Sequence, residues 1–283
     1  MTSLVLAHTR AELDAALAGT ARPRAVVMTM GALHAGHLEL VRLAKERAET
    51  VVVTIFVNPL QFGPGEDFAT YPRTLDTDVE TLEELGVDVV FAPSAQEMYP
   101  EAEPQVRINA GRLGERWEGT TRPGHFDGVL TIVAKMLHLT RPDIAVFGEK
   151  DAQQLILVRR MVADLNFDVE IVGAPTARSA EGLALSSRNA YLDEEQRAQA
   201  HALWTAIRAA QDSVPLGADA VRDAALAVLT DAAGIELDYL ALVDVLTLAE
   251  VEPDHRGEAL LLIAVRIGTI RLIDNALLRL GAT

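Results

Sequence analysis

At 283 residues the chain is long enough for a sizeable core in one or two domains, and its 49% hydrophobic and 23% charged content is that of an ordinary globular protein. Lys plus Arg number 25 against 41 Asp plus Glu, a formal charge of −16 that repels nucleic-acid backbones and anionic membranes, so an anionic ligand needs a local site. The lack of cysteine excludes disulfides, thiolate metal sites and thiol catalysis.

The stretch Met1 to His8 has no charged leader region or long apolar run, and no later run reaches the length of a membrane span, which predicts a cytoplasmic protein. Residues 11 to 18 have helical spacing after the cap candidate Thr9, with Gly19 as a stop. A buried-type strand covers 25 to 30. It leads through Met30-Gly31-Ala32-Leu33-His34-Ala35-Gly36-His37 into a helix running to about Glu49. The run 51 to 57 is apolar and β-branched, as expected of a strand covered on both faces, and Asn58-Pro59 ends it before a loop at 61 to 67.

Leu75, Val79, Leu82 and Leu85 mark the next helix, closed by Gly86, and 87 to 91 the next strand. Ser94 with Glu97 fits a capping box, and 105 to 108 is a possible short strand. A polar turn at 121 to 128 leads into a helix from Val129 that ends before Pro142. Strand 143 to 147, the Gly148-Glu149-Lys150-Asp151 turn, a helix through Met161 and strand 167 to 172 complete the alternation. Two helices, Glu194 to Ala210 and Asp219 to Ala233, and strands at 238 to 243, 260 to 265 and 270 to 273 follow. The expected architecture is α/β: a doubly wound, Rossmann-like parallel sheet over 1–176, then a smaller α+β domain over 177–283.

The first glycine-bearing turn has the chemistry of a phosphate cradle. Gly31 and Gly36 remove side-chain bulk, a helix start offers unpaired N–H groups, and His34 and His37, three residues apart, fall on one helical face. Ser186-Ser187-Arg188 is a second anion-ready group, two hydroxyls beside a cationic fork. On its own it reads first as a solvated loop, and Lys150 on its own as a surface lysine.

Taken together, the first turn, Phe56-Val57-Asn58-Pro59-Leu60-Gln61-Phe62, Tyr71-Pro72-Arg73-Thr74, Arg122-Pro123-Gly124-His125-Phe126, Phe147 to Gln154, Leu185 to Leu192 and Leu272-Ile273-Asp274-Asn275 resemble the pantothenate synthetase family, in that family's order. The resemblance implies a ligase of the nucleotidyl transferase group with a His-x-Gly-His signature, shared with class I aminoacyl-tRNA synthetases. Such an enzyme uses ATP with Mg²⁺ to make pantoyl adenylate and pyrophosphate from pantoate, then transfers the acyl group to β-alanine, releasing AMP.

The same resemblance assigns ATP contacts to Met30, Gly31, His34, His37, Gly148, Glu149, Lys150, Asp151, Ala177, Leu185, Ser186, Ser187 and Arg188. His34, His37, Lys150, Ser186, Ser187 and Arg188 would carry the catalysis by stabilising charge. Gln61, Gln154, Asn58, Arg122 and His125 would face pantoate and β-alanine. Asp78 is the first carboxylate expected to meet a metal, with Asp76 its competitor, and the resemblance implies a homodimer through the first domain. Two positions depart from the family pattern: Met28 stands where a proline is usual, and Ala177 where a larger aliphatic is common. Another small adenylyltransferase with the histidine signature would explain His34 and His37 but not the Gln61, Gln154 and Arg122 to His125 set. A non-catalytic nucleotide binder would not need His34, His37, Lys150 and Arg188 together.

Overall fold

The computed structural model describes residues 4–281; residues 1–3, the start of the N-terminal stretch considered above, and 282–283 lie outside the described residues. The chain forms two units, Met1–Glu149 with Gln153–Pro175 and Lys150–Ala152 with Thr176–Thr283. The turn Lys150–Ala152 thus groups with the second unit, although its neighbours on both sides belong to the first.

Six parallel strands make the sheet of the first unit: β1 (Val5–Ala7), β2 (Arg24–Thr29), β3 (Thr50–Ile55), β4 (Val89–Phe91), β5 (Ile144–Gly148) and β6 (Glu170–Ala174), in the order β1-β4-β3-β2-β5-β6. Side chains alternate across the two faces as the pleat requires. Val26, Val52, Phe91 and Ala145 enter one buried cluster, while Val27, Val53, Val90 and Val146 enter the other.

The helices of this unit are α1 (Arg10–Leu17), α2 (Ala35–Arg47), α3 (Leu75–Glu84), α4 (Ala95–Met98), α5 (Gly111–Gly114), α6 (Glu118–Thr121), α7 (His125–Thr140) and α8 (Ala152–Asp164), the last beginning on the turn of the second unit. Helix α1 opens on the expected cap, Thr9, and Glu12 completes a capping box there. At α4 only half of the expected box forms, because the Glu97 carboxylate turns to Arg10 instead, 2.9 Å from its Nε. Residues 105–108 are irregular rather than a strand, the Ile108 N–H being taken by Thr131 Oγ1 at 3.0 Å. Helix α7 begins at His125, four residues before the apolar stripe does. Gly128 is therefore helical, and it lies against the 3₁₀ turn Pro59–Gln61.

In the second unit, α9 (Glu194–Asp212) and α10 (Ala218–Asp231) pack through Leu203, Ile207, Val221 and Leu229 onto an antiparallel sheet, β7 (Glu236–Asp244), β8 (Gly257–Ile267) and β9 (Ile270–Leu280). Alternate β8 residues Ala259, Leu261, Ile263 and Val265 supply its floor. Helices and strands are segregated, as the composition of this part implied.

Candidate active site

The strand order of the parallel sheet reverses between β2 and β5, and in open α/β sheets ligands bind at the carboxyl ends of strands beside such a reversal. Strand β2 runs out there into Met30 to His34, and β5 ends there at Gly148 before Glu149. Chain direction alone puts the first histidine pair at this edge.

His34 is the N-cap of α2, and the two histidines close a reciprocal cap. Gly36 N–H donates to His34 Nδ1 at 3.1 Å, and His34 N–H donates to His37 Nδ1 at 3.3 Å. The rings lie 4.1 Å apart, centroid to centroid. A ring nitrogen that accepts from an amide carries no proton, so each neutral imidazole is held as the Nε2–H tautomer. Each ring therefore offers its Nε2–H as donor.

The backbone amides behave differently from the sequence expectation. Gly31 N–H goes to Thr29 Oγ1 at 3.2 Å, while Ala32 and Leu33 N–H both go to the Asp78 carboxylate at 2.9 Å. His37 and Leu38 N–H return to His34 O at 2.8 and 3.2 Å. These amides are taken by acceptors within the protein, and the side-chain donors of this turn are the two imidazoles. Gly31 has φ +82° and a Cβ there would sit 3.1 Å from both Asp78 Oδ2 and Ile55, which is why a glycine stands at that position.

Asp78, expected as a metal ligand, is 4% exposed and receives a third hydrogen bond from Thr74 Oγ1 at 3.1 Å. Asp76 is exposed. Among the described residues no group of three or more His, Asp or Glu is arranged to hold a cation. The residues present do not fit a protein-held Mg²⁺, because the one buried carboxylate beside the turn is already satisfied by N–H and O–H donors.

Asn58 is likewise committed. Its Nδ2 donates to Gly128 O and Gln61 Oε1, both at 3.1 Å, and its Oδ1 accepts from Tyr99 Oη at 2.9 Å and Leu60 N at 3.3 Å. With 1% exposure it anchors the 3₁₀ turn carrying Gln61, rather than reaching for a ligand. Gln61 is half-buried, its Nε2 being 3.2 Å from Met30 Sδ. Burial raises the pKa of the Tyr99 phenol and keeps it a donor.

Arg122 grips Glu66 with two nitrogens, Nε at 2.8 Å and Nη2 at 2.6 Å, and its Nη1 lies 3.0 Å from His125 Nε2. His125 Nδ1 donates to Gln61 O at 2.8 Å, so Nε2 is the acceptor facing Arg122. Burial first, and then the Arg122 charge, push the His125 pKa from 6.5 down to about 4, and the ring is neutral at pH 7. For Glu66 burial acts to raise the pKa, but the Arg122 hydrogen bonds and charge outweigh it and leave the carboxyl below its ordinary range. Arg122 and His125, expected at the acid-binding side, form here with Glu66 a clamp on the 61–66 loop.

Gln154 is half-buried on α8, while its neighbour Gln153 is buried and bonded to Leu113 O, Arg116 O and Glu118 N at 2.9–3.2 Å. Glu66, Tyr99, Gly128 and Gln153 were absent from the sequence assignment. Only the Gln153-Gln154 pair carried a local signal.

In the second unit, Leu185 N–H donates to Ala177 O at 2.9 Å, so those two positions are cross-paired by the main chain. Arg178 holds the loop, bidentate to Asp274 at 2.6 and 2.9 Å and stacked 4.4 Å over Trp204. Ser186 Oγ caps the 3₁₀ turn Ser187–Tyr191 by accepting from Arg188 N at 3.3 Å, and Ser186 to Arg188 are half-buried rather than fully solvated. Asn275 Nδ2 donates to Lys150 O at 2.8 Å, and Lys150 Nζ is 3.6 Å from Asp151. The Asp274-Asn275 motif thus holds both the 176–185 loop and the Lys150 turn.

The model of the pantoate-beta-alanine ligase family matches residues 5–277. The chain belongs to that family. Family membership makes it a ligase that forms a C–N bond between pantoate and β-alanine. It is 56% identical to the pantothenate synthetase of Acidothermus cellulolyticus over 97% of this chain and 92% of that one. It is also 56% identical to that of Salinispora arenicola over 99% of both. The crystal structure of pantothenate synthetase from Thermus thermophilus matches with a TM-score of 0.90 and 45% identity over 96% of this chain and 98% of that one. Pantoate-beta-alanine ligase from Francisella tularensis, complexed with Beta-gamma ATP and Beta-alanine, matches with a TM-score of 0.81 and 33% identity over 97% of this chain and 98% of that one. The fold is the α/β and antiparallel-sheet combination of these ligases.

Proposed function

We propose that this chain joins pantoate to β-alanine at the expense of ATP through a pantoyl adenylate. A pantoate carboxylate oxygen attacks the α-phosphorus of ATP, a P–O bond forms, and the bond to the departing pyrophosphate breaks. The neutral β-alanine amine then attacks the acyl carbon and gives up one proton to water. The C–O bond to AMP breaks as the amide forms.

Negative charge builds on the α-phosphate oxygens and on pyrophosphate in the first step, so the demand is for fixed donors rather than a strong base. The observation carrying this proposal is the reciprocal cap at His34 and His37, which fixes both rings, as Nε2–H tautomers when neutral, at the carboxyl edge of β2. In this assignment Lys150, Ser186, Ser187 and Arg188 add donors to the phosphates, and Met30, Gly31, Gly148, Glu149, Asp151, Ala177 and Leu185 contact the nucleotide. Gln61 and Gln154 hold pantoate through amide donors and acceptors. Asn58, Arg122 and His125 act on that side as supports for Gln61. Any proton transfer by His37 is secondary to its donor role. Magnesium would come with the nucleotide as MgATP and would supply charge neutralisation at the phosphates. The protein is further assigned as a cytoplasmic homodimer, in keeping with its acidic, cysteine-free composition and the family resemblance.

Isotope exchange between labelled pyrophosphate and ATP tests the proposal. Exchange that requires pantoate and proceeds without β-alanine is expected. Exchange that ignores pantoate, or is absent with it, refutes the adenylate.

A further inference from the structure

We infer that Asp78 is a positioning residue that fixes the Gly31–His34 turn in its working shape, and is not a ligand to the metal that accompanies ATP. This rests on the adenylation reading above. Ala32 has φ +49°, a left-handed conformation that costs a residue with a side chain roughly 1–2 kcal/mol, directly after Gly31 at φ +82°. Such a turn persists only when surrounding bonds over-determine it.

The carboxylate supplies those bonds. Oδ2 accepts from Ala32 N and Oδ1 from Leu33 N, each at 2.9 Å, across more than forty residues of sequence. Thr74, the N-cap of α3, donates its hydroxyl to Oδ2 at 3.1 Å and orients the group. Asp78 itself sits in the first turn of α3, where the helix dipole favours a negative charge. A charge-assisted pair of N–H bonds thus locks the two residues that precede His34, whose own N–H and ring set the direction of His37. With its oxygens aimed at amides and a hydroxyl, and the residue 4% exposed, Asp78 lacks the open face that a hydrated Mg²⁺ requires.

Asp78→Asn keeps the shape but replaces one acceptor by an NH₂ group that cannot receive an amide. The measurement is pantoate-dependent pyrophosphate exchange on the full chain, with far-ultraviolet circular dichroism as the fold control, over a Mg²⁺ titration. The unmodified protein is run first, because absence of its exchange would sink the adenylation reading and leave the role of Asp78 a separate matter. Given that exchange, Asp78→Asn should lower kcat by about a hundredfold, with KM for pantoate and the half-saturating Mg²⁺ within about twofold of the parent.

A half-saturating Mg²⁺ raised about tenfold, with the rate restored by excess metal, would identify a metal ligand and overturn the inference. Parental kcat in a folded Asp78→Asn variant would also overturn it. Should that variant fail to fold, Thr74→Val decides, since it removes only the hydroxyl that orients the carboxylate. Its kcat should drop about three- to tenfold at unchanged Mg²⁺ dependence, and a parental kcat refutes the positioning role.

Discussion

Gly128→Ala perturbs the pantoate side without touching any group assigned to the chemistry. A Cβ on Gly128 would sit 2.2 Å from Leu60 O, 2.5 Å from Leu60 C and 2.8 Å from Gln61 N, all main-chain atoms. A carbon–oxygen contact needs about 3.3 Å, so either α7 or the 3₁₀ turn Pro59–Gln61 must shift by about 1 Å. The shift also strains the Asn58 Nδ2 bond to Gly128 O, and it carries Gln61 with it. Overpacking against backbone costs about 2 kcal/mol, which for a domain of this size lowers Tm by about 4–8 °C. A displacement of that size at a binding amide lowers kcat/KM for pantoate by about a hundredfold, while KM for ATP stays close to the parent's. Differential scanning calorimetry and pantoate-dependent exchange read the two effects. Parental Tm together with parental kcat/KM would refute both the close approach of α7 to this turn and the assignment of Gln61.

Protonation of His125 gives a pH signature. Its pKa is about 4 in the folded protein against 6.5 for the free group, so between these values the unfolded chain binds more protons. The resulting stability is fully present above pH 6.5, fades as pH falls toward 4, and amounts to about 3 kcal/mol. Urea melts at pH 7.5 and 4.5 should show a smaller difference for His125→Asn than for the parent; an equal difference would contradict the neutral buried ring. In the second unit, Asp274→Ala strips the partner from Arg178 at a carboxylate whose side chain is 1% exposed, and about 3–5 kcal/mol of stability should be lost in thermal melts. Glu170→Ala, which removes the exposed partner of Arg47, should cost under about 1 kcal/mol, so comparable losses from both would refute the weighting by burial.

The parallel sheet was legible because Val26, Val27, Val52 and Val53 are apolar in succession, as strands covered on both faces must be. His34 and His37 were legible from spacing, and Thr9 as a helix cap from its residue type. The direction of the turn's amides was not, because it depends on Asp78, 46 residues from Ala32, and no local pattern encodes that contact. The Arg122 and Glu66 clamp spans 56 residues and was hidden for the same reason. The first strand, three residues long, is too short for any periodicity. The start of α7 was missed because His125, Asp127 and Gly128 have turn-like composition, although Gly128 is there to let two backbones approach.

The central claim is that pantoate is activated by forming a bond from its carboxylate oxygen to the α-phosphorus of ATP. Pantoate carrying ¹⁸O in both carboxylate oxygens, turned over with ATP and β-alanine, tests it directly when the released AMP is weighed by mass spectrometry. One ¹⁸O per AMP is expected, because the C–O bond and not the P–O bond breaks when the amine attacks. AMP without label, with ¹⁸O in pyrophosphate or retained wholly in the product and water, would contradict the adenylate and with it the role given to His34 and His37.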